Sequence, residues 1–406
     1  MKHSRTRNLC WKAVCAALPA AALLATPALS AEEGGSTMEI YGFAMLDTGY
    51  QTKQNDPDWF DVVRPTKLPS FEDQYGVDGH WFSGVRQSRL GVKTSTPTAM
   101  GELKTQFEFE LFGTGVDAGQ TTLRLRHAYG ELGAWGAGQT WSPFMDIDVF
   151  PNTVEYWGPN GMVFYRNVQV RWMPIKGDTR LTVALERPGA SAEGGSASDF
   201  IALNGVTPRF PLPDLSAEYR LGRDWGYVEI AGIVRYMEWK DTVANAQDLS
   251  GDAVGWGLNL STNYKLGKSV IRAAVVYGEG IQNYMNDATV DVGPVATGDP
   301  ARPVDGKTVP MLGVTFFVDT NWNERMSTSI GYSMLDNDNT PLQAASSFEK
   351  GEYAVANVMF YPVKNVMFGP EVQWGKRHNA RDGFTSDDLR IQFSAKYNFS
   401  HTFGGN

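Results

Sequence analysis

Basic side chains recur at alternate positions of this 406-residue chain, and their spacing is the first feature that could do chemistry. Arg124 and Arg126 stand two positions apart, with Leu125 between them and Leu123 before them. Residues two apart in a strand share one face, and a guanidinium group binds a carboxylate through two parallel hydrogen bonds. The polar faces of other predicted strands carry the basic residues Arg89, Lys93, Arg171, Arg220, Arg235, Arg272 and Arg390.

These faces predict a water-filled interior lined by cations, which would favour anions. Acidic residues on the same faces are fewer; they are Glu108, Glu110, Glu218, Glu229, Asp319 and Glu371. An alternative stays open, in which the charges pair with one another and keep the interior wet without selecting a solute. We expect the anion preference, because arginine matches carboxylates so well.

A second candidate is the acidic segment 143–162. It carries Asp146, Asp148 and Glu155 and no basic residue. Folded into a pore opposite arginines, such a segment would form a constriction that selects by size and charge. The alternative is an ordinary exposed loop; we expect the inward fold.

Signatures of catalysis and metal binding are not found in the sequence. No G-x-S-x-G motif is present, and His80, His127, His378 and His401 are scattered without metal-ligand spacing. The sequence therefore predicts neither an enzyme nor a cofactor or metal site. Two rival functions remain, a secreted or surface β-rich protein for carbohydrate binding or adhesion, and a barrel lipase that would need His127.

The elements that must position these residues are strands. Apolar and polar residues alternate through 102–113, 253–266 and 387–399, with a period of two. Marking every such run gives about sixteen strands, most of them long enough to cross an outer membrane when tilted.

The connections between these strands alternate between long and short along the chain. The segments 52–83 and 143–162 are long, whereas 97–101 and 267–268 are short turns. An antiparallel barrel in a membrane has long loops outside and tight turns on the periplasmic side, but a β-sandwich has no reason to alternate so regularly. We predict an all-β, porin-like transmembrane barrel over residues 38–399, with aromatic residues near the strand ends.

Composition and the first residues are consistent with an exported protein. Aromatic residues make up 12% and the net charge is −9, which argues against a disordered chain or a basic nucleic-acid binder. Residues 1–30 read as a signal peptide, cleaved after Ser30 or Ala31. Its loss removes four of the 36 basic residues, leaving 32 against 45 acids, or −13. Residues 31–37 are then a short lead and 400–406 a tail.

Two residues break the alternation. Arg86 and His127 fall on the apolar face of their predicted strands. Arg86 lies at the loop end, where it would meet lipid phosphate. His127 would be covered by a neighbouring subunit, unless the register is misassigned.

Several stretches resemble the DcaP-like family of trimeric outer-membrane porins. They are IYGF at 40–43, QSRLGVKT at 87–94, GELKT at 101–105, LRHAYGE at 125–131, GQTWS at 138–142 and QFSAKYNF at 392–399. The resemblance implies a sixteen-stranded, homotrimeric channel in the outer membrane of a Gram-negative bacterium, in contact with lipid and lipopolysaccharide. It also implies small organic anions, such as dicarboxylates, as the permeating solutes. Barrels of this kind usually end on an aromatic residue, whereas this chain continues past Phe399 to Asn406.

Overall fold

The computed structural model describes residues 35–199, 203, 205–243 and 247–405. The predicted signal peptide, 1–30, and most of the predicted lead lie outside the described residues. The strands are β1 Thr37–Gln51, β2 His80–Gly84, β3 Arg89–Thr98, β4 Gly101–Phe112, β5 Thr121–Leu132, β6 Trp135–Trp141, β7 Arg166–Ile175, β8 Arg180–Glu186, β9 Val206–Arg209, β10 Asp214–Arg223, β11 Gly226–Asp241, β12 Gly251–Leu266, β13 Ser269–Glu279, β14 Val292–Asp299, β15 Arg302–Thr308, β16 Pro310–Asn323, β17 Met326–Asn337, β18 Phe348–Phe360, β19 Val366–Asn379 and β20 Thr385–Gly404.

Helical structure is limited to short 3-10 turns in the connections. They are Pro57–Trp59, Pro65–Lys67, Gly115–Asp117, Ile147–Val149, Gly195–Asp199 and Gln282–Tyr284. Among the described residues, no helix is long and apolar enough to cross a membrane.

All strands except β14 and β15 form one antiparallel sheet that closes on itself. The strands β2 and β3 both pair with β1, and β9 and β10 both pair with β11. In each of these two cases, the two strands together fill one strand position in the wall. The eighteen strands of the sheet therefore form a sixteen-stranded barrel. The predicted fold class is therefore confirmed. The hairpin β14–β15, in the connection between β13 and β16, was not foreseen in the sequence.

The strand pair that closes the barrel is longer than the sequence alternation indicates. The first and last strands pair from Thr37 with Gly404 to Gln51 with Arg390. Residues 400–404 therefore continue the last strand, where the sequence suggested a tail, because β1 offers them backbone partners along their whole length.

The alternation decides which face of each strand meets lipid. In β12, Trp256, Leu258 and Leu260 are exposed on the outer surface, while the alternate residues Asn259 and Ser261 are buried. A charged group facing lipid at the middle of a bilayer costs about 2–4 kcal/mol, which enforces this choice of face.

Three connections fold into the barrel: residues 52–79 (the first loop), 143–162 (the inner loop) and 280–291 (the third loop). Val62, Phe144 and Asp287 are fully buried members of these three loops. Of these three, only the inner loop is predicted from the sequence to fold inward. These three segments meet the polar faces of the strands and form the site described next.

Candidate functional site

The inner loop is attached to the barrel wall by its first acidic residue. The Asp146 carboxylate accepts hydrogen bonds from Arg220 (2.6 Å), the Tyr227 hydroxyl (2.7 Å) and the Ser261 hydroxyl (2.6 Å). These three partners lie on β10, β11 and β12. Asp146 is buried, so its charge is neutralised by Arg220 instead of facing open water.

Asp148 lies at the surface of the inner loop. Its carboxylate also pairs with Arg220, yet its side chain is 47% exposed. Of the three acids predicted to form a constriction, Asp148 alone offers its charge to the interior space.

Glu155 has a different environment. Its carboxylate accepts hydrogen bonds from the amides of Val63 (3.0 Å), Trp157 (3.1 Å) and Gly158. The Tyr353 hydroxyl lies 3.2 Å away. Burial raises the pKa of Glu155 to about 7. Glu155 joins the inner loop to the first loop and to β18. It is fully buried, so it does not line the open interior space as the predicted constriction requires.

The neighbouring backbone of the inner loop is held by a second acid. The Glu371 carboxylate, on β19, accepts hydrogen bonds from the amides of Val154 and Glu155, each at 2.9 Å. The backbone amide of Asn152 donates a hydrogen bond to the Asp319 carboxylate on β16 (3.1 Å). The inner loop is thus fastened across the interior, from β10–β12 to β16–β19.

An arginine cluster lies on the wall formed by β3, β4, β5 and β7. Arg126 binds Glu108 and Glu110, each at 2.6 Å. Around the same two carboxylates, within 4 Å, lie Arg89, Arg124 and Arg166. Four arginines therefore share two carboxylates, and this sector carries a net positive charge. Arg166 was missed because it lies out of phase with the lumen-facing residues of β7.

Three further cations continue this sector toward the short turns. Lys93 lies over the ring of Tyr41 (4.6 Å to the centroid), and Lys396 over the ring of Phe43 (5.3 Å). Arg171 donates a hydrogen bond to the Tyr129 hydroxyl at 2.7 Å. In the part of the chain that the structure describes, none of these three cations forms an ion pair.

Another sector of the wall, formed by β8, β10 and β11, has the opposite balance. Arg180 and Arg220 face Glu218 and Glu229 as well as the two aspartates of the inner loop. Two arginines here share four carboxylates. Arg272, on β13, is paired with Asp319 at 2.5 Å.

Two of the predicted pore-lining arginines are fully buried and hold loops in place. Arg235 binds Asp214 (3.0 Å) and Asp291 (2.8 Å). Arg390 donates to the Asp61 carbonyl at 2.6 Å and lies over the Phe82 ring. Neither guanidinium is exposed to the interior space, because the first and third loops cover them.

Of the two residues that broke the alternation, Arg86 was misplaced by the prediction, whereas His127 reflects the register shift that the prediction left open. Arg86 binds the Asp61 carboxylate and the Gly113 carbonyl, and it is buried beneath the loops, away from lipid. His127 faces the interior because Glu108 pairs with His127 while Phe109 pairs with Leu125. This β-bulge leaves Arg126 without a residue opposite it on β4 and reverses the alternation beyond it.

The lipase alternative required a serine beside His127. The ring nitrogen Nδ1 of His127 instead lies 3.0 Å from the Thr140 hydroxyl, and the ring packs edge-on against Trp141 inside the barrel. Within the described ranges, no three His, Cys, Asp or Glu residues are grouped so as to hold a metal ion.

A cavity of about 250 Å³ lies between the inner and third loops, on the side of the long connections. Arg124, Tyr156 and Arg64 contribute to its lining. Arg64 stacks between Trp59 and Trp157, at 4.1 and 4.0 Å from the ring centroids. Its Nε atom binds Asp287 at 2.9 Å. The cavity leads to the arginine cluster, since Arg124 belongs to both.

Comparison with known proteins agrees with this architecture. The outer membrane channel DcaP of Acinetobacter baumannii superposes with a TM-score of 0.73 at 24% identity, covering 91% of this chain and 99% of that one. An anion-selective porin from Comamonas acidovorans superposes at 0.57, with 11% identity and 90% and 100% coverage. A trimer form of OmpT from Vibrio cholerae superposes at 0.54, with 12% identity and 90% and 99% coverage. At these identities the likeness shows the fold.

A search of curated proteins finds no match to this chain. The family model of the DcaP outer membrane protein matches residues 81–399, which is most of the chain. This match, on a closed barrel with three inserted loops, shows that the chain belongs to the DcaP outer membrane protein family.

Proposed function

We propose that this channel passively conducts small hydrophilic solutes and favours organic anions such as dicarboxylates. The observation that carries the proposal is the charge of the wall of β3–β7, where four arginines share two carboxylates. Unbalanced guanidinium groups in a restricted aqueous space raise the local concentration of anions.

The order of the cations supports a path along this wall. Arg64 and Arg124 line the cavity on the side of the long loops. Arg89, 23% exposed, follows within the cluster, and Lys93 and Arg171 lie closer to the short turns. An anion moving along this sector meets a cation at each level. Asp148, on the inner loop, borders the same interior space. Its negative charge repels anions from that part of the space.

Ion selectivity tests this proposal directly. We expect the reversal potential in a planar bilayer under a KCl gradient to lie toward the chloride potential, and succinate to carry current when it replaces chloride. Arg124→Gln and Lys93→Gln should each reduce the anion preference. Arg209→Gln, on the outer surface beside Glu238, is the matched control and should change nothing. Cation preference in the unmodified channel contradicts the proposal.

We further infer that the protein is exported through the signal peptide 1–30 to the outer membrane of a Gram-negative bacterium, assembles as a homotrimer there and performs no catalysis. Support comes from the trimer form of the related Vibrio cholerae porin. N-terminal sequencing should begin at Ala31 or Glu32. An unboiled detergent sample should run as a compact, heat-modifiable oligomer on a gel, and identical boiled and unboiled mobility contradicts the assembly.

A further inference from the structure

The outer surface of the barrel carries a groove over β6, β7 and β8. Its volume is about 470 Å³. Strands β6 and β8 are short, so the wall is low there and the segment 210–213 overhangs it. The groove is lined mainly by the apolar side chains of Ala137, Val168, Val170, Leu185, Phe210 and Leu212.

The overhanging segment suits a lipid environment. It is bounded and interrupted by prolines at 208, 211 and 213. Proline has no amide hydrogen, and an unpaired backbone donor facing hydrocarbon costs several kcal/mol. A proline-rich segment can therefore cross the outer face of the barrel with few unpaired donors.

One cation stands at the upper edge of this groove. Arg187 follows β8 on the same face as Leu185; it is exposed, and it forms no ion pair within the described residues. The adjacent acid, Glu186, points into the barrel, where it accepts hydrogen bonds from Ser142 and Ser216. The positive charge of Arg187 is therefore uncompensated on the outer surface.

The neighbours of Arg187 indicate its depth in the membrane. Its amide donates to the Val168 carbonyl, and Val168 pairs with Gln139. Arg187 and Gln139 thus form a polar row above the apolar row of Ala137, Val170 and Leu185. Such a change marks the edge of the hydrocarbon, where an outward-facing arginine costs only about 0–1 kcal/mol.

We propose that this groove is a binding site for an anionic lipid of the outer leaflet, one acyl chain lying against Val170 and Leu185 and a headgroup phosphate pairing with Arg187. A phosphate and a guanidinium form bidentate, charge-assisted hydrogen bonds. In this proposal Arg187 makes the contact with lipid phosphate that the sequence predicts for Arg86. It depends on the outer-membrane location and not on the solute that the channel conducts.

Native mass spectrometry of the detergent-purified oligomer, titrated with diphosphorylated hexaacyl lipid A, tests the site. We expect Arg187→Gln to weaken lipid binding about ten-fold. Val170→Trp, which keeps the charge and fills the groove, should weaken it as well. The matched control is Arg223→Gln, an exposed arginine at a turn on the opposite side of the membrane, and it should bind as the unmodified protein does.

Two further probes distinguish a site for an anionic lipid from a site for any lipid or for free phosphate. Phosphatidylcholine should bind more weakly than lipid A, and inorganic phosphate should not displace lipid A. Equal binding by the Arg187→Gln and Arg223→Gln proteins overturns the proposal, as does displacement by inorganic phosphate. Dissociation of the oligomer by Arg187→Gln with unchanged lipid binding also overturns it, because the groove is then a contact between copies of this chain. Single-channel conductance of Arg187→Gln should stay unchanged, so failure here leaves the channel proposal intact.

Discussion

At the scale of single residues, the arginines that the sequence predicts to line the pore serve two different purposes in this barrel. Arg235 is fully buried between two carboxylates, whereas Arg124 is 30% exposed beside a carboxylate that three other arginines share. The first is a structural cation and the second a candidate contact for solutes. The difference arises from which loop covers each side chain, not from its position in a strand.

Removal of a structural cation should destabilise the fold. Arg235→Met leaves Asp214 and Asp291 buried without their partner, and breaking a buried ion pair in this way costs about 3–5 kcal/mol. We expect a lower midpoint for the heat-induced loss of the folded band on a gel. Arg223→Met, at an exposed turn, should stay within about 0.5 kcal/mol of the unmodified protein. Equal midpoints for the two variants contradict the assignment.

The pKa of Glu155 makes stability dependent on pH. Burial raises that pKa from 4.5 to about 7, so between these values the folded protein binds more protons at Glu155 than the unfolded chain. The stability from this group is fully present below pH 4.5 and falls as pH rises toward 7.

The thermal midpoint measured from pH 5 to pH 8 checks this sign. Glu155→Gln removes the titrating group, so its midpoint should decline less steeply with pH, whatever its absolute value. The charged groups around Glu155 include Arg390, Arg64 and Glu371, and all three are unchanged in the variant. A parallel decline in both proteins shows that another group is responsible.

At the scale of elements, a β-bulge in β5 lies within the arginine cluster, at Arg126. Arg126 is the extra residue of the bulge, and beyond it His127 and Tyr129 face the interior. The Gln139 side chain, on β6, donates to the carbonyls of Leu125 and Arg126, each at 3.3 Å. A side chain thus forms hydrogen bonds to the backbone at the irregular part of the strand.

Loss of this side-chain amide should cost stability. Gln139→Leu removes the side-chain hydrogen bonds to two carbonyls, and the loss of a hydrogen bond costs about 0.5–1.5 kcal/mol. We expect a lower unfolding midpoint in urea, with the barrel still folded. Leu123→Met, an exposed apolar position on β5, is the control and should be neutral. A neutral Gln139→Leu variant indicates that water satisfies these carbonyls.

At the scale of the whole molecule, the three inserted loops divide the interior into sectors of different charge. The β3–β7 sector has an excess of arginine, and the sector of β8, β10 and β11 has an excess of acid, half of it supplied by the inner loop. The net charge of the chain therefore says little about the field inside the barrel. The field depends on which charges the loops bury.

Removal of the exposed acid should strengthen the anion preference. Asp148→Asn reduces the negative charge of the second sector and leaves Arg220 paired with Asp146 and Glu229. One charge near the path changes the energy of an ion by about 0.5 kcal/mol, with opposite sign for anions and cations, so the anion-to-cation permeability ratio should rise about five-fold. The reversal potential under a KCl gradient measures it. An unchanged or lower ratio contradicts the placement of Asp148 beside the path.

The fold class could be predicted from the sequence because its signal is local. Leu258, Asn259 and Leu260 reveal their faces by order alone, and lipid on one side with water on the other enforces that order in every strand. The alternation of long and short connections then identifies an antiparallel barrel. The residues at 87–94 and 125–131 identified the family in the same way, without reference to any distant contact.

The environment of each charge was decided only by the tertiary structure. A single bulge moved His127 to the interior, and a strand partner at Thr37 extended the last strand to Gly404. The burial of Arg235 depends on loop residues far away in sequence, at Asp291 and Gly280. Period-two alternation says which face a side chain takes, but whether that face meets water or a folded loop depends on contacts between distant segments.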